Sequence, residues 1–261
     1  MPRITRRHLH LSLRWLAAAA LAALVAVYAL YTLKVRSGVT HATRGEQVAH
    51  KMGCFACHGL GGEAGIPNLG SEEKTVPSWT GGTAMRYILK PEELDEWVLD
   101  GHPKRLANHD HEDQTLHMPA YRGRISKRDY ADLREYLKAV MGLDAPAEGD
   151  AKAGYEIAQQ SGCFGCHGPA GRGLRSNTGS LAGYIPGWEG GPYADMVTND
   201  AELEEWIRTG TSKRMQQNRI AAYFMKRQII TMPAYDKRLS KEEIDKLIAY
   251  IRWLRNPAPT S

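Results

Sequence analysis

The stretch CFACHGLGGEAGIPNLG, residues 54–70, returns as CFGCHGPAGRGLRSNTG at residues 163–179, so the chain repeats one unusual phrase 109 positions later. At that offset Gly45 falls on Gly154, Ala49 on Ala158, Gly53 on Gly162 and Phe55 on Phe164. Downstream, Pro77 falls on Pro186, Trp79 on Trp188, Leu94 on Leu203, Trp97 on Trp206, Gly101 on Gly210, and Lys104-Arg105 on Lys213-Arg214. The offset then becomes 114, which aligns MPAY at 118–121 with MPAY at 232–235 and Tyr136 with Tyr250. The second copy therefore carries five extra residues between Arg214 and Met232. A period of this length marks a duplicated domain, and 261 residues hold two such units.

Helical signals dominate both copies. Pro91-Glu92-Glu93 ahead of Leu94 and Trp97, with Gly101 beyond, has the first-turn proline, first-turn acids and terminal glycine of a short helix. Ser126-Lys127-Arg128-Asp129 and Ser240-Lys241-Glu242-Glu243 read as N-terminal capping boxes. They precede Leu133, Tyr136, Leu137, Val140 and Ile244, Leu247, Ile248, Ile251 at helical spacing. No alternating strand pattern is present. The segment GLDAPAEGD, residues 142–150, reads as a linker. The expected organisation is a flank and anchor at 1–36, domain one at 37–141, the linker at 142–150 and domain two at 151–261.

The formal charge of +5 invites a nucleic-acid reading, which the distribution removes. Residues 1–36 hold six basic and no acidic residues, and the rest of the chain carries 28 basic against 29 acidic. Trp15 to Leu33 is a nineteen-residue apolar run with Arg3, Arg6, Arg7 and Arg14 before it, which predicts a transmembrane helix with a cytoplasmic N-terminus. The competing reading is a cleaved signal peptide with a small-residue site near Thr40-His41-Ala42. Either reading exports the remainder. The expected location is the bacterial inner membrane, single-pass, with both domains periplasmic.

The four cysteines are Cys54, Cys57, Cys163 and Cys166, which leaves none for a structural disulfide. In an exported protein, C-x-x-C-H points to covalent haem attachment. A thioredoxin-like dithiol lacks its βαβ context here, and a zinc site leaves the paired downstream methionines unexplained. Through CFACH, CFGCH, HMPAY, TMPAY and the closing amphipathic helices, the chain resembles the class I c-type cytochromes over residues 43–141 and 151–255. The resemblance implies an all-α fold of two tandem class I cytochrome c domains after the N-terminal transmembrane helix.

It also implies two covalently bound haem c groups, one on Cys54 and Cys57, the other on Cys163 and Cys166. His58 and His167 would be the proximal iron ligands, Met118 and Met232 the distal ones, a thioether raising the potential relative to a second imidazole. His117 is the rival beside Met118, and Met215 and Met225 are weaker rivals in the second copy. The family's proline carbonyl bond to the proximal imidazole falls on Pro67. Ser176 stands there in the second copy, so unequal potentials are expected, with the second haem higher. Trp79, Trp188 and the Lys-Arg pairs are read as propionate contacts, core packing or solvated charge. His109, Asp110, His111 and Asp113 read as a solvated polar loop rather than a divalent-metal site.

Two six-coordinate irons leave no open position for substrate. The expected function is single-electron relay between a redox donor and a redox acceptor, as a carrier or as the cytochrome subunit of a respiratory or dehydrogenase complex. The enzyme-class alternative is a dihaem peroxidase with one displaceable distal ligand.

Overall fold

Each copy of the repeat becomes a set of short helices closed by two longer ones that cross at a glycine. The computed structural model describes residues 6–37, 39–80, 82–107 and 113–256, with side chains of the leading helix described at 14–30, 32 and 33. That leading helix, α1 (Arg6–Ser37), forms a unit separate from Val39–Ser261.

The expectation of a transmembrane helix is corrected at this point. Among the described residues no helix is long and apolar enough to cross a membrane. The stretch at residues 15–30 is dominated by small side chains. Eight of its sixteen residues are alanine, whose single methyl removes little apolar surface from water. The anchor, the single-pass inner-membrane location and the orientation drawn from it are set aside with the helix that carried them.

The first copy contains α2 (His41–Lys51), α3 (Cys54–His58), α4 (Ala84–Tyr87), α5 (Pro91–Asp100) and α6 (Lys127–Met141). The second contains α7 (Gly149–Gln160), α8 (Cys163–His167), α9 (Gly191–Met196), α10 (Asp200–Thr209), α11 (Lys213–Gln217), α12 (Arg219–Arg227) and α13 (Lys241–Arg255). α7 thus begins within the stretch read as linker. One two-stranded antiparallel ladder, β1 (Arg175–Ser176) with β2 (Tyr184–Ile185), lies in the second copy, too short to show as alternation in the sequence.

Local chemistry sets the helix ends. α5 starts on Pro91 with Glu92 and Glu93 in its first turn and stops at Gly101, whose φ of 82° is left-handed. Ser126 caps α6 by accepting from the Asp129 amide, while Ser240 and Glu243 make both bonds of a capping box on α13. α6 then buries Leu133, Tyr136 and Leu137, and α13 buries Ile244, Leu247, Ile248 and Ile251. α2 lies across α6, and α7 across α13. A Cβ on Gly45 would sit 2.1 Å from the Asp132 carbonyl oxygen, and one on Gly154 would sit 2.0 Å from that of Lys246. This contact explains why the repeat keeps a glycine at both positions. The five extra residues of the second copy are taken up around α11 and α12, where the Asn218 side chain accepts from the amides of Ile220 and Ala221.

Candidate haem-binding sites

The two C-x-x-C-H segments are themselves single helical turns, α3 and α8, each started by a left-handed glycine, Gly53 or Gly162. Residues three and four apart in a helix share a face, so Cys57 and His58 stand beside Cys54, and Cys166 and His167 beside Cys163. None of the four cysteines is engaged in a disulfide. Burial pushes the Cys54 thiol up and takes that of Cys163 to about 11.

His58 Nδ1 lies 2.9 Å from the Pro77 carbonyl oxygen, and His167 Nδ1 lies 2.8 Å from that of Pro186. A carbonyl only accepts, so each Nδ1 carries the proton and each Nε2 keeps its lone pair. Burial lowers both histidine pKa values, with the proline carbonyls pulling the other way, and the rings are neutral. Trp79 and Trp188 pack against these imidazoles, with ring centroids at 4.8 and 5.1 Å. Both indoles belong to the buried core. Their own amides donate to Gly62 and Gly171, each at 2.7 Å.

The expected role of Pro67 is therefore corrected. Pro67 forms an isolated bridge with Thr75, and Ser176 lies in β1. The chain meets the imidazole ten residues later, at Pro77 and Pro186, which recur at the 109 offset. Both proximal bonds are present and nearly equal in length, so the substitution of Pro67 by Ser176 gives no basis for unequal potentials.

Met118 and Met232 sit half-buried against the core of their own copies. In each copy an asparagine fastens the segment two residues upstream. The Asn68 side chain donates to the Leu116 carbonyl at 3.0 Å and accepts from the Leu116 amide at 2.8 Å. Asn177 does the same to Ile230, at 2.8 and 2.9 Å. The tyrosine of MPAY ties the downstream side, Tyr121 donating to the Met52 carbonyl at 3.2 Å and Tyr235 to that of Ser161 at 3.1 Å. The methionine loop is thus held at both ends, upstream by an asparagine that follows the C-x-x-C-H helix and downstream by the turn that leads into it.

His117 is exposed, Met215 is buried, and Met225 accepts a contact from the Thr211 hydroxyl at 3.7 Å. His109, Asp110 and His111 lie outside the described residues, and Asp113 is exposed. Among the described residues no group of three or more His, Cys, Asp and Glu is arranged to hold a metal ion. The arginines of the Lys-Arg pairs brace their own domains, Arg105 on buried Glu93 at 2.9 Å and Arg214 on buried Glu202 at 2.8 Å. Burial alone would raise the Glu202 pKa, but bonds from Arg214, Thr198 and Ser212 outweigh it and hold it at about 2. Pro77, Pro186, Asn68, Asn177, Tyr121 and Tyr235 went without their structural roles in the sequence reading, although each recurs in register between the copies.

A duplicated helical domain with a neutral imidazole, two thiols and a clamped methionine in each copy defines the class of tandem c-type cytochromes. Residues 151–255 match the cytochrome c family, and residues 40–137 match the family of cytochrome c oxidase, cbb3-type, subunit III. Over 193 residues the chain is 30% identical to cytochrome c4 of Pseudomonas aeruginosa, covering 70% of this chain and 81% of that protein. Cytochrome c4 of Azotobacter vinelandii is 26% identical over 191 residues, 70% of this chain and 82% of the relative. The cbb3-type cytochrome c oxidase subunit FixP of Azorhizobium caulinodans is 30% identical over 132 residues, 49% of this chain but 39% of that protein's length. No solved structure gives a significant match. The chain belongs to the tandem dihaem class I c-type cytochromes. It carries two covalently bound haem c groups and is an electron carrier rather than an enzyme.

Proposed function

We propose that the protein relays single electrons between two redox proteins, receiving them at one haem and passing them on from the other. Cys54 and Cys57 would hold the first haem through thioether bonds, with His58 and Met118 available to ligate its iron. Cys163, Cys166, His167 and Met232 would hold the second in the same way. The haem iron supplies reversible one-electron exchange between ferric and ferrous states. The protein's part is to keep each histidine in one tautomer and each methionine loop in one place. The observation that carries this reading is the pair of proline carbonyl bonds, which leave Nε2 as the sole lone pair of both imidazoles.

Mass spectrometry after acid denaturation is expected to retain two haem masses on the chain, and replacement of Cys54 and Cys57 by Ala to leave one. Met118→His and Met232→His are each expected to change one centre's absorption spectrum and lower its potential; an unchanged spectrum would remove that methionine from the ligand set. The likeness to FixP supports a second proposal, that the carrier works within an oxidase-type complex, which native purification followed by sizing tests. A peroxidase needs a displaceable distal ligand in one copy, whereas both methionine loops are fastened by an asparagine and a tyrosine. Turnover of hydrogen peroxide by the purified protein would overturn the carrier reading.

A further inference from the structure

The two copies touch in an unequal way. Thr40, Thr43 and Glu46, from the start of α2 in the first copy, meet residues 172–175 in the second. Thr40 donates its hydroxyl to the Arg172 carbonyl, the Leu174 amide donates to the Thr43 hydroxyl at 3.1 Å, and Arg175 pairs with Glu46 at 2.6 Å. This loop follows His167 directly and is wired to it. The Gly173 amide donates to the His167 carbonyl at 3.1 Å, and Trp188, whose ring faces His167, donates its amide to Gly171.

Arg172 stands at the middle of the contact. Its guanidinium reaches Glu189 at 3.1 Å and Asp144, in the connector between the copies, at 3.3 Å, with 16% of the side chain exposed. Along with His41, Ala42 and Glu135 it lines the cleft between the copies. The residue at the matching place in the first copy is Glu63, exposed and of opposite charge. The residues matching Thr40, Thr43 and Glu46 in the second copy are Gly149, Lys152 and Tyr155, so the contact runs one way only.

We propose that Arg172 is a positioning residue that couples docking of the first copy to the second redox centre, holding the His167 loop and setting the second haem's potential above the first. The inference rests on the reading that His167 ligates the second haem. The guanidinium offsets the Asp144 and Glu189 carboxylates beside that loop, and its loss would leave their negative charge uncompensated, which favours the ferric state. The matching position on the first copy's loop holds the anionic Glu63.

Potentiometry on the full dihaem protein tests this beside limited proteolysis of residues 142–148. In Arg172→Ala the second step is expected to move to lower potential by about tenfold in the ferric to ferrous ratio, about 59 mV for one electron, while the first stays. Both histidine-methionine spectra should persist, and cleavage in the connector should accelerate. Arg172→Lys should restore most of the second potential. Should Arg172→Ala fail to mature, Thr43→Val changes no charge and lies in the first copy, and it is expected to move the second step alone. Unmoved steps, or two steps moving together, would overturn the proposal. A His167→Ala variant that keeps the second centre's spectrum would instead overturn the ligand assignment beneath it.

Discussion

Asn68 and Asn177 each occupy both hydrogen-bonding groups of a residue about fifty positions away, Leu116 and Ile230. These are buried amides acting as clasps, and an amide removed from such a site leaves a backbone donor and an acceptor unpaired. Asn177→Ala is therefore expected to lower the unfolding free energy by roughly 1–3 kcal/mol in urea denaturation. It should also loosen Met232, which would show as a change in the ferric spectrum of the second centre alone. A variant with unaltered stability and spectrum would show that the clasp is dispensable. Tyr235→Phe removes one bond, to the Ser161 carbonyl, and is expected to cost about 0.5–1.5 kcal/mol. At this scale the thiols, imidazoles and methionines were legible because their chemistry is written in their side chains. The clasps were not, because an asparagine shows its partner only once the chain has folded across some fifty residues.

Helix crossings and caps decide the element scale. Gly45→Ala and Gly154→Ala place a methyl on a backbone carbonyl oxygen, which cannot swing aside as a side chain would, so the closing helices must separate. Each substitution is expected to destabilise its copy by roughly 1–3 kcal/mol, measured by thermal or denaturant unfolding. Glu202 on α10 supplies a pH signature. Its folded pKa of about 2 lies below the ordinary 4.5, so its contribution is present above pH 4.5 and is lost as pH falls toward 2. The acid limb of the stability profile should flatten in Glu202→Gln, and an identical limb would show that another group governs it. Proline, acidic and glycine signals located α5, and serine boxes located α6 and α13. β1 and β2 escaped, since a two-residue strand has no period to read.

For the whole molecule, charge is distributed between the copies: 13 basic and 16 acidic residues over 37–145, against 15 and 13 over 146–261. Residues 206–235, which lead to Met232, contain no acidic side chain. An anionic small reductant should accordingly reduce the second haem faster than the first at low salt, an advantage that fades as the screening length falls to about 10 Å at 0.1 M. Stopped-flow traces at two ionic strengths check this, and rates indifferent to salt would sever the link between formal charge and access. Since the imidazole–proline bonds are nearly equal in the two copies, the proposed difference in potential rests on charge and on the one-way docking at Arg172.

By itself the sequence determined that there are two copies, that each attaches a haem, and which cysteines, histidines and methionines are the candidates to hold it, because a duplicated motif aligns residues without any knowledge of where they lie. Tertiary structure decided which proline carbonyl meets each imidazole, which asparagine fastens each methionine loop, and which face of one copy rests on the other. Those are contacts between residues far apart in the chain, set by backbone paths that spacing does not encode. It also corrected the anchor. Counting apolar letters treats alanine as though it were leucine, whereas a membrane crossing depends on the apolar surface buried along the helix, and among the described residues no helix is long and apolar enough to cross.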